Sequence, residues 1–322
     1  MKIQFIKCNG SGNVFVLIDG ISQNIVLNEM DFSRITKLVC DRDGIIGADG
    51  VLFLLSSEKA DARMRIFNAD GSEPEMCGNG IRCIARKAIE LLKKEKLYIE
   101  TMNAVMEVQK EDDIFVNVPS FSVVIPGISI SYNKNYSVLN DYIRELSNSL
   151  KFTTINTGNP HIIANVESID LKVLEETGNK ANNLPYIFHE GVNVSFFKMI
   201  DEESIFVSTF ERGVGLTASC GTAMSAVSVT SALLGSTYFN KWLNIYNEGG
   251  MVKCLPLKDD TGFSVRLLGN ATYEYHGQFI YDNKENVLSD LTTSKLENDE
   301  IYSYRKFQKI CNNFIKNKNI FR

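Results

Sequence analysis

Two segments of this chain share one layout, and that repetition restricts its fold more than any other feature. In the first, strand-like Arg65-Ile66-Phe67 runs into Asn68-Ala69-Asp70-Gly71-Ser72-Glu73-Pro74-Glu75-Met76-Cys77-Gly78-Asn79-Gly80, and a helical pattern follows from Ile81 to Lys94. In the second, strand-like Ser204 to Phe210 passes through Glu211-Arg212-Gly213-Val214-Gly215-Leu216-Thr217-Ala218-Ser219-Cys220-Gly221-Thr222 into helical Ala223 to Leu234. Each segment sets a Cys-Gly pair at the entrance of a helix, one in each half of the sequence. A chain of 322 residues has room for two domains of ordinary size. The expectation is an α/β (α+β) protein of two lobes with a site between them.

Around these segments the chain reads as alternating strands and helices. Residues 1–20 form two strands about the turn Cys8-Asn9-Gly10-Ser11-Gly12-Asn13. Phe32, Ile35, Leu38 and Val39 are spaced as on a helix. Strands are expected at Val51–Leu55, Ala62–Phe67, Leu97–Glu100, Ala104–Val108 and Ile114–Val118. Pro119 and Pro126 interrupt the pattern and mark a domain crossing near residue 120, and the alternation in Phe121 to Ile130 is read as another strand. Asn140 to Leu150 is read as a helix. Thr153–Ile155 leads into Asn156-Thr157-Gly158-Asn159-Pro160-His161, and Gly191 to Phe197 is a strand carrying Asn193. Final strands are expected at Ser264–Leu268 and Tyr273–Tyr281, and a terminal helix at Ile301–Ile315.

Composition narrows the function classes. The hydrophobic fraction of 44% and charged fraction of 23% are those of a soluble globular protein. A net charge of −5 counts against a nucleic-acid partner. No apolar run approaches the roughly 20 residues that span a bilayer. The N-terminus alternates like a strand where a signal peptide would carry an apolar core. Seven cysteines, an odd number without C-x-x-C spacing, favour a reducing cytoplasm over a disulfide framework or a zinc site. His161, His189 and His276 are too scattered to suggest a metal cluster.

Free cysteines are commonly buried in cores, and Cys8, Cys40, Cys83, Cys254 and Cys311 are read that way. Cys77 and Cys220 differ because each stands at a helix entrance beside glycine. That setting lowers a thiol pKa from about 8.5 toward neutrality. The amides of the same turn can hold a carboxylate. Two such units acting on one ligand suit inversion at a carbon next to a carboxylate. One thiolate removes a proton, the other thiol returns one, and oriented amides stabilise the charge that develops.

These motifs resemble the diaminopimelate epimerase family, cofactor-independent epimerases of the last steps toward meso-diaminopimelate and lysine. The resemblance rests on Asn68 to Glu73, Glu75 to Cys83, Asn156 to His161, Glu211-Arg212-Gly213 and Ala218-x-Cys220-Gly221-Thr222. It runs from residue 1 to about 282 and leaves 283–322 without a recognised counterpart. It implies two similar lobes, each a sheet wrapped around a central helix. The first lobe would cover 1–120 with returning strands near 269–282, the second 121–268, and residues 283–322 would be an extension with a helix. It implies that Cys77 and Cys220 are the catalytic pair, and that Asn68, Asn159, Asn193 and Arg212 bind the non-reacting end of the substrate. The backbone amides of Gly78, Asn79, Gly221 and Thr222 would take the carboxylate at the reacting centre. Glu211 and His161 would engage the amino group there, and Asn13 matches the family asparagine of the first turn. No metal or cofactor is implied, the ligand is a small amino acid, and the family is commonly homodimeric.

Three departures bear on the substrate: Val14 replaces an acid, Gly44 an aromatic, and Leu216 a glutamate. They motivate an alternative, a racemase of histidine or lysine with the same two-thiol chemistry and no pyridoxal phosphate. Against it, such a substrate would leave Arg212 without a carboxylate. A non-catalytic binding protein would have no use for both cysteines, and nothing pairs His161 with a cysteine as a protease would require. Facing thiols would also form a disulfide under oxidising conditions.

Overall fold

The structure, a computed structural model, describes residues 1–44, 46–133, 136–295 and 299–322. The chain divides into two compact units. Unit 1 is Met1–Val123 with Gly269–Lys306, and unit 2 is Val124–Leu268 with Phe307–Arg322. Among the described residues there are five helices: α1 (Glu29–Cys40), α2 (Gly78–Leu92), α3 (Leu171–Asn182), α4 (Gly221–Leu233) and α5 (Glu300–Lys316).

In unit 1 the strands neighbour one another in the order Val287–Lys295, Thr272–Asp282, Lys2–Gly10, Asn13–Asp19, Gly50–Leu55, Ala62–Asn68, Lys96–Glu100, Val105–Phe115 and residues 118–123 of the strand Val118–Ile128. Six of them, from Lys2–Gly10 through Val105–Phe115, touch α2. The sheet therefore curls around this helix. Ile81, Cys83, Ile84, Ala85 and Ala88 of α2 are fully buried as a result. The outer side of the sheet is closed by α1, whose Phe32, Ile35 and Val39 join Phe5, Val16, Phe53 and Phe67 in one apolar cluster. Asn28 caps α1 with its side chain on the Met30 and Asp31 amides, and Asp31 completes the capping box.

Unit 2 repeats the plan. Strands Lys151–Asn156, Pro160–Asn165, Asn193–Asp201, Ser204–Glu211, Leu243–Asn247 and Gly250–Asp259 all touch α4. Because α4 is enclosed, it lacks a polar face. Its Ser225, Thr230, Ser228 and Ser231 hydroxyls are satisfied by carbonyls three or four residues back along the helix. On the other side, α3 closes a second cluster that includes Phe152, Ile162, Leu174, Val194, Phe196 and Phe206.

Several expectations change. The strand expected at Phe121–Ile130 begins earlier, as Val118–Ile128, and so runs through Pro119 as well as Pro126. Asn140 to Leu150 is not a helix: it holds the short strand Asp141–Tyr142 and turns. Hydroxyls hold its backbone instead, with Thr153 accepting from the Asn140 amide at 3.1 Å and Ser147 from the Ser149 and Leu150 amides. Asn140 itself lies at φ 49°, outside the right-handed helical region. After Asp282 the chain adds the strand Val287–Lys295 against Thr272–Asp282 and then α5, which covers the expected Ile301–Ile315.

Candidate active site

In unit 1 the predicted residues gather where the strand Ala62–Asn68 turns into α2. Arg65 fixes the intervening loop. Its guanidinium meets both Glu73 oxygens at 2.8 and 2.6 Å and both Glu29 oxygens at 2.9 Å, which ties the loop to α1. Asp70 accepts from the Ser72 amide and hydroxyl, and the Asn68 side chain donates to the same hydroxyl at 3.1 Å. Cys77 is the N-cap of α2, and its half-buried Sγ accepts from the Gly80 amide at 3.4 Å. By helix geometry the acceptors for the Gly78 and Asn79 amides lie outside the helix.

The first glycine turn abuts this helix start. A Cβ on Gly10 would lie 2.6 Å from the Asn79 carbonyl oxygen, so only glycine permits the approach. Gly10 is paired with Asn13 across the turn. Beneath them lies a residue to which the sequence reading gave no role, the fully buried Arg82. It donates to the Gly78 carbonyl at 2.8 Å, the Ser11 hydroxyl at 2.8 Å, Asn79 Oδ1 at 3.2 Å and the Asn270 carbonyl at 3.2 Å. Asn270 in turn accepts from the Ser11 amide at 2.7 Å. Arg82 sits one helical turn past Gly78, and that spacing inside the motif was the available signal.

In unit 2 the predicted residues form a hydrogen-bonded set. Asn159 donates to Thr222 Oγ1 at 3.3 Å, and that hydroxyl lies 3.4 Å from Cys220 Sγ. Asn159 Oδ1 lies 3.0 Å from His161 Nε2. An amide oxygen only accepts, so Nε2 carries the proton and Nδ1 is a bare acceptor. That Nδ1 is buried without a hydrogen-bond partner, an arrangement suited to a ligand N–H. Burial, reinforced by the Arg212 charge, pulls the His161 pKa down to about 3, so the ring is neutral. Asn193 accepts from the Arg212 amide at 2.9 Å, and Arg212 Nη1 reaches the Glu190 carbonyl at 2.8 Å. Glu211 accepts from Thr217 at 2.6 Å, and the Cys220 thiol bonds to its carboxylate.

One expectation reverses here. The helix entrance does not make Cys220 acidic. Burial first, and then the Glu211 carboxylate, push its pKa well above the usual thiol value, against the opposing Thr222 bond. Cys220 is therefore held as a thiol. Burial likewise raises the Glu211 pKa, despite its bonds from Thr217 and Cys220.

The predicted residues thus fall into two sets. Asn13, Asn68, Cys77, Gly78 and Asn79 belong to unit 1, and Asn159, His161, Asn193, Glu211, Arg212, Cys220, Gly221 and Thr222 to unit 2. Of the departures, Val14 donates its amide to Asp49 at 2.8 Å, and Leu216 is exposed on the strand Gly215–Thr217. Among the described residues no group of three or more His, Cys, Asp or Glu side chains is placed to hold a metal ion. Nor is any helix among them long and apolar enough to cross a membrane.

Sequence comparison shows the family. A family profile described as diaminopimelate epimerase matches residues 5–118 and 153–273, covering both cysteine segments. The chain belongs to the diaminopimelate epimerase family. A diaminopimelate epimerase of Clostridium acetobutylicum is 42% identical over 314 residues, covering 95% of this chain and 94% of the relative. One from Ligilactobacillus salivarius is 41% identical over 288 residues, 84% of this chain and 88% of the relative. The first alignment is too long to omit all of 283–322, so part of that segment has a counterpart in this relative. The wider fold extends to distant structures. A hydroxyproline epimerase from Agrobacterium vitis aligns with a TM-score of 0.63 at 15% identity, over 86% of this chain and 90% of that one. A phenazine biosynthesis protein of the PhzF family from Bacillus anthracis gives 0.64 at 20% identity, over 87% and 99%.

Proposed function

We infer that this chain is a diaminopimelate epimerase, interconverting L,L- and meso-diaminopimelate by proton transfer through Cys77 and Cys220. The observation that carries the reading is the family match across both halves, with each cysteine an N-cap among residues of the family motif. No pyridoxal phosphate or metal takes part on this reading.

The two cysteines sit in different surroundings. Cys77 Sγ accepts the Gly80 amide at 3.4 Å. Cys220 is held as a thiol. In one direction Cys77 removes the α-proton and Cys220 donates to the opposite face, and in the other direction the roles exchange. Amides at Gly78, Asn79, Gly221 and Thr222 take the reacting carboxylate, where the helix starts favour negative charge. His161 Nδ1 and the Glu211 carboxylate receive the adjacent ammonium. Asn68, Asn159, Asn193 and Arg212 bind the distal amino acid group, and a guanidinium matches its carboxylate. Seven free cysteines suit a reducing compartment, so cytoplasmic location belongs to the same proposal, as does homodimeric assembly.

The test is proton NMR in D2O with L,L-diaminopimelate, L-histidine and L-lysine in parallel. Loss of the α-proton signal with diaminopimelate alone, abolished in Cys77→Ala, supports the reading. Exchange with histidine or lysine instead would transfer the chemistry to the alternative substrates.

A further inference from the structure

Arg212 lies in the turn after the strand Ser204–Glu211, and more than that strand holds it. Its Nη1 donates to the Glu190 carbonyl at 2.8 Å, and the loop carrying Glu190 is fastened from below by Tyr132. The Tyr132 hydroxyl accepts from the Glu190 amide at 2.9 Å and donates to the Gly191 carbonyl at 3.4 Å. Tyr132 is buried, with its ring edge-on to Phe188 at 5.1 Å. Gly191 lies close against Arg212: a Cβ there would be 3.6 Å from Arg212 Cβ and Cδ. One phenol group thus holds the peptide groups on either side of the one whose carbonyl meets the guanidinium.

We propose that Tyr132 is a positioning residue for Arg212, acting through the main chain of Glu190 and Gly191, and that it sets affinity for the distal carboxylate of the substrate. This rests on the reading of Arg212 as the ligand of that carboxylate. Phenylalanine would keep the packing on Phe188 but neither hydrogen bond. The loop would then lose its register, and the guanidinium its fixed direction. A bidentate contact depends on that direction, because both N–H groups must meet both oxygens. The Tyr132 hydroxyl bonds to neither cysteine and to neither His161 nor Glu211, so affinity changes and turnover does not.

The experiment compares Tyr132→Phe, Arg212→Gln and the unsubstituted enzyme. KM and kcat are measured for L,L-diaminopimelate, and competitive inhibition is measured with two probes. L-α-aminopimelate carries the distal carboxylate and L-α-aminoheptanoate lacks it. Loss of the phenol's two hydrogen bonds, felt at Arg212 as one misdirected contact, predicts that Tyr132→Phe raises KM and weakens α-aminopimelate by about three- to tenfold. It leaves kcat and α-aminoheptanoate binding unchanged. Equal weakening of both probes, or no change in either, overturns the proposal. If Arg212→Gln still separates the two probes, the carboxylate reading of Arg212 itself has failed. Amide hydrogen exchange on the unsubstituted enzyme gives a second reading that needs no variant. The Glu190 amide is protected, and more so with α-aminopimelate, whereas rapid exchange there in both states contradicts the relay.

Discussion

Acid should weaken this fold through His161 by a calculable amount. The ring is fully buried, and its pKa falls from 6.5 to about 3. Between those values the unfolded chain binds a proton that the folded one refuses. The His161 contribution is therefore fully present above pH 6.5 and is lost as the pH falls toward the folded value. The limiting slope is about 1.4 kcal/mol per pH unit, which amounts to about 2 kcal/mol between pH 7.5 and pH 5. His161→Gln keeps an amide that can donate to Asn159 but does not titrate. Urea unfolding at both pH values isolates the term, because the carboxylates common to both proteins cancel in the comparison. The unsubstituted protein should lose about 2 kcal/mol more than His161→Gln on acidification. Equal losses would refute the neutral, unsolvated histidine and its role as an acceptor.

Two further outcomes follow from the same contacts. Glu300 holds the buried Arg86 through two bonds of 2.7 and 2.9 Å, while Arg86 stacks on Tyr273 at 3.6 Å. Glu300→Gln should cost roughly 3 kcal/mol in urea unfolding, at the low end for a buried pair because Glu90 still binds Arg86. A loss below about 0.5 kcal/mol would place the pair among surface contacts. Glu211→Gln removes the carboxylate that raises the Cys220 pKa, so the pH midpoint for alkylating Cys220 should move down. An unmoved midpoint, read by mass spectrometry of the labelled peptide, would contradict that coupling.

Much of the candidate site's layout was legible because its segments are local in sequence. Cys77 and Cys220 stand where strand–loop–helix patterns place helix entrances, and the apolar spacing of α1 and α2 is plain. The helix α4 was found from its Cys-Gly start, since a helix enclosed on all sides shows no amphipathic period. Arg82 escaped because its partners Ser11 and Asn270 lie 71 and 188 residues away. The acidity of Cys220 was misjudged for a related reason. A helix start is visible in sequence, but burial and the Glu211 charge arise only on folding. Asn140 to Leu150 misled because hydroxyls from residues 147 and 153 decide its backbone. The strand Val287–Lys295 went unread because its polar residues satisfy an edge position in unit 1.

The central claim is that two thiols divide the proton transfer, and its most direct test is the fate of label at early conversion. L,L-diaminopimelate is incubated with the enzyme in D2O, and recovered substrate and meso product are separated and weighed by mass spectrometry. Two acids predict that the first meso product carries one deuterium while recovered L,L-diaminopimelate carries none. If the product retains the substrate's own proton, or label enters recovered substrate as fast as product, a single group works both faces and the account is wrong.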